Sequence, residues 1–123
     1  MIQILLPKIG YGPSEGATIM LDGNPVRVTD ELRDRLSVTA KILITRCIHM
    51  PGWWQEEPVK DLQYSLEILE ALKNEEEFKL SAGALMYLKK RFSLFLNSNE
   101  RHLYMLEALS DTLGALNDAN DSA

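Results

Sequence analysis

Cysteine is almost absent from this chain of 123 residues, which contains only Cys47. No disulfide can form within the chain, and its cysteine content does not indicate an oxidising compartment. Long apolar runs are also missing, since no stretch approaches the roughly 18 apolar residues that a membrane span requires. The short apolar run at the N-terminus has no basic residues before it and predicts no signal peptide. We therefore expect a cytoplasmic protein with no membrane partner.

The chain has fewer basic than acidic residues, and the excess of acidic residues is concentrated in one segment. The chain has 13 Lys and Arg against 18 Asp and Glu, a net charge of −5. Residues 51–80 hold eight acidic and three basic residues, whereas the segments on either side are nearly neutral. Affinity for nucleic acid comes mostly from neutralising phosphates, so this balance has the wrong sign for a nucleic-acid binder. It suits a basic partner, or solubility alone.

Residues that bind metals or perform catalysis are scarce. The two histidines are His49 and His102. Cys47 and His49 are two residues apart on a predicted helix, which points them about 200° apart and prevents them from sharing a metal ion. Neither histidine has a serine or cysteine partner at a recognisable spacing for nucleophilic catalysis. We expect a protein that is not an enzyme, with no catalytic residues, no metal site and no cofactor.

The pattern predicts one domain over residues 1–123, with a β-hairpin region at 1–28, a helical region at 29–117 and a polar tail at 118–123. Alternating apolar residues at Ile2, Ile4 and Leu6 favour a first strand. The glycine-rich stretch from residue 10 to 16 lacks the spacing of a nucleotide-binding loop and predicts a flexible connection. Asp22-Gly23 between two apolar runs is a strong hairpin signal, because glycine tolerates the positive φ that the turn needs.

From Thr29 onward the apolar period is helical, and the sequence predicts four helices. They span about 29–50, 58–74, 81–97 and 98–117. The first has apolar residues on two faces, and we expect the hairpin to cover the second face. The predicted inner faces of the later three are Val59, Leu62, Leu66, Leu69 and Leu72; Leu85, Leu88, Phe92, Phe95 and Leu96; and Leu103, Leu106, Leu109, Leu113 and Leu116. The fold class is mainly α, a small four-helix bundle with an N-terminal β-hairpin, or α+β by a strict count.

Four apolar residues are candidates for a partner or self-association surface. Trp53 and Trp54 are adjacent in a predicted loop, so one core cannot readily take both side chains. Tyr87 and Leu94 lie on the predicted outer side of the third helix. Tryptophan is enriched where interfaces gain most of their binding energy. The alternative is that the hairpin covers Tyr87 and Leu94 and that both tryptophans pack on the bundle.

Glu75, Glu76 and Glu77 form an acidic block after the second predicted helix. Blocks of this kind are usually solvated surface, and their functional interpretation is a patch that docks on a basic surface. The sequence therefore predicts a non-catalytic protein that binds another protein or a second copy of itself. Small acidic helical proteins are common among phage-type accessory proteins, such as inhibitors of host machinery and assembly chaperones, and this analogy rests on size and character alone. The alternative is a transcription regulator that binds DNA through Lys89-Lys90-Arg91 on the third helix.

Overall fold

The structure, a computed structural model, describes residues 1–49, 59–98 and 103–119. This part of the chain forms five helices and two small antiparallel sheets of two strands each. The prediction of a mostly helical fold with a small amount of sheet is confirmed, whereas a four-helix bundle is not. Trp53 and Trp54 lie outside the described residues, as does the predicted tail beyond Ala119. In the described ranges no helix combines the length and the apolar character needed to cross a membrane.

The predicted hairpin is present. Strands β2 (Thr18–Leu21) and β3 (Asn24–Arg27) pair antiparallel, with Leu21 opposite Asn24. The two turn residues, Asp22 and Gly23, have φ angles of 50° and 81°. Positive φ at both central residues is the geometry that matches the twist of paired strands, which is why Asp-Gly is favoured here.

The N-terminal strand has a partner that the sequence did not reveal. Strand β1 (Ile2–Gln3) pairs antiparallel with β4 (Lys79–Leu80), in the connection between the third and fourth helices of the structure. Ile2 and Ile4 are buried, as their alternation predicts. The first segment of the chain is thereby held against the helical core.

The first predicted helix is two helices. Helix α1 (Asp30–Leu36) begins after Thr29, whose hydroxyl accepts a hydrogen bond from the Leu32 amide as a helix cap. Helix α2 (Ala40–His49) follows three residues later. Between them Val38 is extended and exchanges two backbone hydrogen bonds of 2.8 Å with Tyr11. The tertiary pairing of this β-branched residue therefore replaces the continuous helix that the apolar period predicts.

Helices α3 (Val59–Leu72), α4 (Ala82–Ser98) and α5 (Leu103–Asp118) complete the fold. Helices α2 and α4 pack against each other and against both α3 and α5. They therefore form the centre of the described helices, and their inner side chains make up most of the core. The largest fully buried side chains include Leu43, Ile44, Ile68, Leu80, Leu88, Phe92, Leu109 and Leu116.

The predicted inner faces hold for the four described residues of α4 and fail in part for α3 and α5, and the side chains of Val59, Leu96 and Leu103 lie outside the described part of the structure. Leu85, Leu88, Phe92 and Phe95 are buried as predicted. On α3, Leu62 and Leu66 are instead 50% and 67% exposed. On α5, Leu106 is 44% exposed. The core positions of these two helices are taken by Ser65 and Ile68 on α3, and by Met105, Ala108, Leu109, Thr112 and Leu116 on α5.

The hairpin does not cover the second apolar face of the first predicted helix. Ile42 lies on that face and remains 40% exposed. The hairpin itself is largely exposed, with Met20 at 55%. Val28, directly after β3, is buried and pairs through its backbone with Gly16 and Ala17, which extends the hairpin beyond β2 and β3.

Candidate functional site

The acidic turn, defined as Glu75–Glu77, is held in place by polar contacts on its own backbone. Helix α3 ends at Leu72, and the side-chain oxygen of Asn74 accepts hydrogen bonds from the amides of Glu76 and Glu77 at 2.9 and 3.1 Å. The Lys41 ammonium of α2 donates to the carbonyl oxygens of Leu72 and Asn74, at 3.3 and 2.7 Å. A cation at this place satisfies carbonyls left free at the end of a helix.

All three glutamate side chains of the acidic turn are exposed. Glu77 pairs with Lys79 at 3.1 Å, and both side chains of this pair remain nearly half exposed. Exposed pairs of this kind contribute at most about 1 kcal/mol and are weakened by salt. The turn therefore presents carboxylates to solvent from a backbone that is already ordered.

A groove of about 470 Å³ adjoins the acidic turn. One wall is the segment Gln3–Lys8, and the other runs from Glu75 to Phe78. Thr39 and Lys41 complete the lining. We call this the N-terminal groove. Its first wall contributes mainly apolar side chains, and its second wall contributes the three carboxylates.

The two walls of the N-terminal groove are joined at one end by backbone pairing. The Ile4 amide donates to the Phe78 carbonyl oxygen at 2.8 Å, which continues the β1–β4 register by one residue. Among the described residues, no backbone hydrogen bond joins Leu5, Leu6 or Lys8 to the acidic turn. The groove thus opens where the ladder ends. Leu5 is 80% exposed beside it.

Sequence reasoning identified the acidic wall of this groove and missed the other wall. The alternation of Ile2 and Ile4 indicated a strand, but nothing local indicated its partner 76 residues further along the chain. The one available signal was Leu5, an apolar residue on the outward side of a predicted strand. The hydrogen bonds of Lys41 could not be predicted from the sequence either, because they go to backbone carbonyl groups at the end of α3 and just beyond it.

Tyr87 does not point away from the core, and that prediction is wrong. Its ring is half-buried against the core and lies 6.0 Å from the ring of Tyr64 on α3. Its hydroxyl is 3.0 Å from that of Ser65, and it accepts a hydrogen bond from Arg91. Helix α3 covers the side of α4 that the sequence predicted to face solvent. It can do so because its inner face carries polar groups. Leu94 is also half-buried.

Arg91 is 4% exposed, although it belongs to the only basic run of the sequence. Its guanidinium donates to the Ile48 carbonyl oxygen at 3.0 Å and to Ser65 at 3.4 Å, and lies over the Tyr87 ring. The guanidinium thus joins α2, α3 and α4. Lys89 is half-buried and donates to the Ala119 carbonyl oxygen at 3.2 Å. Of the three basic residues only Lys90 is exposed, which leaves the DNA-binding alternative little exposed charge on this helix.

The thiol of Cys47 is fully buried in the core. Burial raises the pKa of this thiol to about 12, and the nearby positive charge of Arg91 acts in the opposite direction. A thiol of high pKa in an apolar setting is a poor nucleophile. Within residues 1–49, 59–98 and 103–119, no three side chains of the metal-binding types come together.

A second exposed apolar feature lies on α3. Leu62 and Leu66 form a stripe on its outer side, and beside them a groove of about 510 Å³ runs between α2 and α3. Its lining is Thr45, His49, Leu66, Leu69, Glu70, Leu72 and Lys73. Glu70 and Lys73 pair with each other at 3.1 Å, so the charges of this second groove are largely matched within it.

No protein family, no curated protein sequence and no solved structure matches this chain.

Proposed function

We propose that this chain is a non-catalytic binding protein whose acidic turn docks against a basic surface of a partner protein. The observation that carries the proposal is the N-terminal groove itself. It places three exposed carboxylates opposite an extended apolar wall. An interface needs both kinds of group, since apolar contacts supply affinity and charges supply specificity and a fast encounter.

Most of the charge of the acidic turn is not neutralised by ion pairs within the described residues. Neither Glu75 nor Glu76 forms an ion pair with any described residue. The backbone that carries them is fixed by Asn74 and Lys41. An ordered backbone lowers the conformational entropy that binding would otherwise cost. These are the properties expected of a docking surface rather than of a structural ion-pair network.

The sequence suggests two classes of accessory protein, inhibitors and assembly chaperones. Proteins of both classes act by binding another protein. The cytoplasm is the compartment proposed for this chain, because a free thiol such as that of Cys47 is typical of reducing conditions. A homo-oligomer is the alternative form of the same activity, in which the partner is a second copy.

The test compares the wild-type chain with Glu75→Lys/Glu76→Lys. Each protein is immobilised and exposed to a lysate of its source cells at physiological salt, and the retained proteins are quantified by mass spectrometry. Each exposed charge contributes up to about 1 kcal/mol, and reversal replaces attraction by repulsion. We expect the charge-reversed protein to retain a basic partner at least about tenfold less well.

The matched control is Glu15→Lys/Asp34→Lys, which changes the net charge equally at two exposed positions away from the groove. Its retained proteins should equal those of the wild type. All three proteins must first show the same melting temperature. An identical set of retained proteins for all three would contradict docking through the acidic turn.

A further inference from the structure

The hairpin has one edge that can accept another strand. Its ladder begins at the two-residue turn, where Leu21 lies opposite Asn24 in a hydrogen-bonded pair. Hydrogen-bonded pairs of an antiparallel ladder alternate with pairs whose amide and carbonyl groups point outward. Thr18 and Met20 are therefore the outward residues of β2. Within the described ranges, their backbone groups make no hydrogen bond with any other segment.

The edge of β3 is protected against further pairing, whereas the edge of β2 is not. The outward residues of β3 are Pro25, which has no amide hydrogen, and Arg27, whose side chain is exposed and charged. Proline and charge are common means by which proteins block a sheet edge. From Gly16 to Leu21 the chain has neither a charged residue nor a proline. The β2 edge is therefore the one that can add a strand.

The hairpin also lacks the further strands that would stabilise it. Strands β2 and β3 form a sheet of their own, which no third strand joins in the described part of the chain. The side chains of Thr18 and Met20 lie on one face and are exposed, and Ile19 on the other face is only half-buried. A hairpin of two strands is marginally stable by itself, and additional strands make such a sheet more stable.

We propose that two copies of this chain pair through their β2 strands, antiparallel across a twofold axis, in the strand order β3–β2–β2–β3. Thr18 and Met20 lie one residue to either side of Ile19, so Thr18 of each copy comes opposite Met20 of the other. Each of these pairs exchanges two main-chain hydrogen bonds. Ile19 then lies directly opposite Ile19 of the second copy. This surface is separate from the N-terminal groove, and the inference goes beyond the proposed function.

The edge itself selects a second copy as its occupant. In this register every outward amide of one β2 strand meets an outward carbonyl of the other, and no charged side chain is brought against a like charge within the paired segment. The central pair of isoleucines is a cross-strand contact that favours the sheet. Since Pro25 blocks the outer edge of β3 in both copies, the sheet cannot grow further. The product is a closed dimer and not a filament.

The first test measures the oligomeric state of the full chain by sedimentation velocity, at concentrations from about 1 μM to about 1 mM. We expect a dimer whose fraction rises with concentration. Met20→Pro removes an outward amide and leaves the hydrogen bonds between β2 and β3 in place, because residue 20 makes none of them. Met20→Leu is the matched control, since it retains the amide. We expect the proline variant to weaken the dimer at least about tenfold and the leucine variant to leave it unchanged.

The second test fixes the register with introduced thiols. In Ile19→Cys the two Cα atoms would face each other at about 4.5 Å, a separation that a disulfide bridges. In Thr18→Cys, the matched control, they would be diagonal neighbours at about 7–8 Å, which a disulfide does not bridge without backbone movement. We expect mild oxidation to convert Ile19→Cys to a covalent dimer on a non-reducing gel. Thr18→Cys and the wild type, whose Cys47 is buried, should remain unlinked.

Each remaining outcome contradicts the proposal. A monomer at every concentration would overturn it, as would equal dimerisation of the wild type and Met20→Pro. Cross-linking of Thr18→Cys in preference to Ile19→Cys would refute the register. A dimer that dissociates in Glu75→Lys/Glu76→Lys and persists in Met20→Pro would place the contact at the acidic turn instead. Should Met20→Pro not fold, the two cysteine variants still decide the matter.

Discussion

Replacing Ile68 with alanine tests the orientation of α3, the helix whose inner face differs most from its sequence-based prediction. Ile68 is 0% exposed, whereas Leu66, two residues earlier on the opposite side, is 67% exposed. Removing a fully buried aliphatic side chain costs about 2–5 kcal/mol, which includes the cavity left behind. Removing a side chain that is mostly in water costs about 0.5 kcal/mol or less.

These free energies translate into separable melting temperatures. Unfolding entropy is about 2.1 cal/mol/K per residue, so about 3 kcal/mol corresponds to a shift of roughly 12 °C for a chain of this length. We expect Ile68→Ala to lower the melting temperature by about that amount and Leu66→Ala to change it by only about 2 °C. Thermal and urea unfolding followed by far-ultraviolet circular dichroism give both values.

The reverse ranking, or equal losses for the two variants, would refute the orientation of α3 described above. Leu109→Ala and Leu106→Ala repeat the comparison on α5, where the first residue is 0% and the second 44% exposed. Agreement in both helices would show that the simple apolar period assigns Leu66 and Leu106 to the core wrongly, although it assigns Leu109 correctly.

Three further predictions follow from the buried polar groups and the charge distribution. The Tyr11 hydroxyl donates to Asp111 at 2.7 Å, and burial, this hydrogen bond and nearby acidic charge raise the pKa of Tyr11 to about 12. Since the folded state holds this proton more tightly than the unfolded state, stability should fall as the pH rises from about 10 towards 12, and a series of urea midpoints should fall less steeply for Tyr11→Phe. Cys47 should fail to react with a thiol reagent until the chain unfolds, and native reactivity within minutes would contradict its burial. Duplex DNA should bind no tighter than about 1 μM at physiological salt, and a tighter complex in a fluorescence titration would revive the DNA-binding alternative.

The sequence predicts well what is decided locally. The turn at Asp22-Gly23 needs positive φ at both residues, and few other dipeptides meet that need. On α4 the buried Leu85, Leu88, Phe92 and Phe95 recur at helical spacing, so these four could be predicted from the apolar period alone, whereas the buried Arg91 could not. The exposed carboxylates of the acidic turn followed from the same reasoning, because a run of three glutamates has no place in an apolar core.

Elsewhere the deciding contacts come from distant parts of the chain. Val38 leaves the helical pattern because Tyr11 pairs with its backbone. Ser65 is an inner residue of α3 because Tyr87 and Arg91 satisfy its hydroxyl, which allows Leu62 and Leu66 to turn outward. A period of apolar residues cannot show that a polar group will find its partners in the core.

The pairing of β1 with β4 also determines when the N-terminal groove can form. The two strands are separated by about 75 residues, so this contact carries a loop-closure entropy that the local contacts of a helix do not, and it is favoured once the intervening helices are compact. During synthesis at about 5–20 residues per second, β1 waits several seconds for its partner strand. The groove cannot exist before this closure, because its two walls come from the two ends of the interval. The groove on which the proposed binding depends therefore forms late, and a partially synthesised or partially folded chain lacks it.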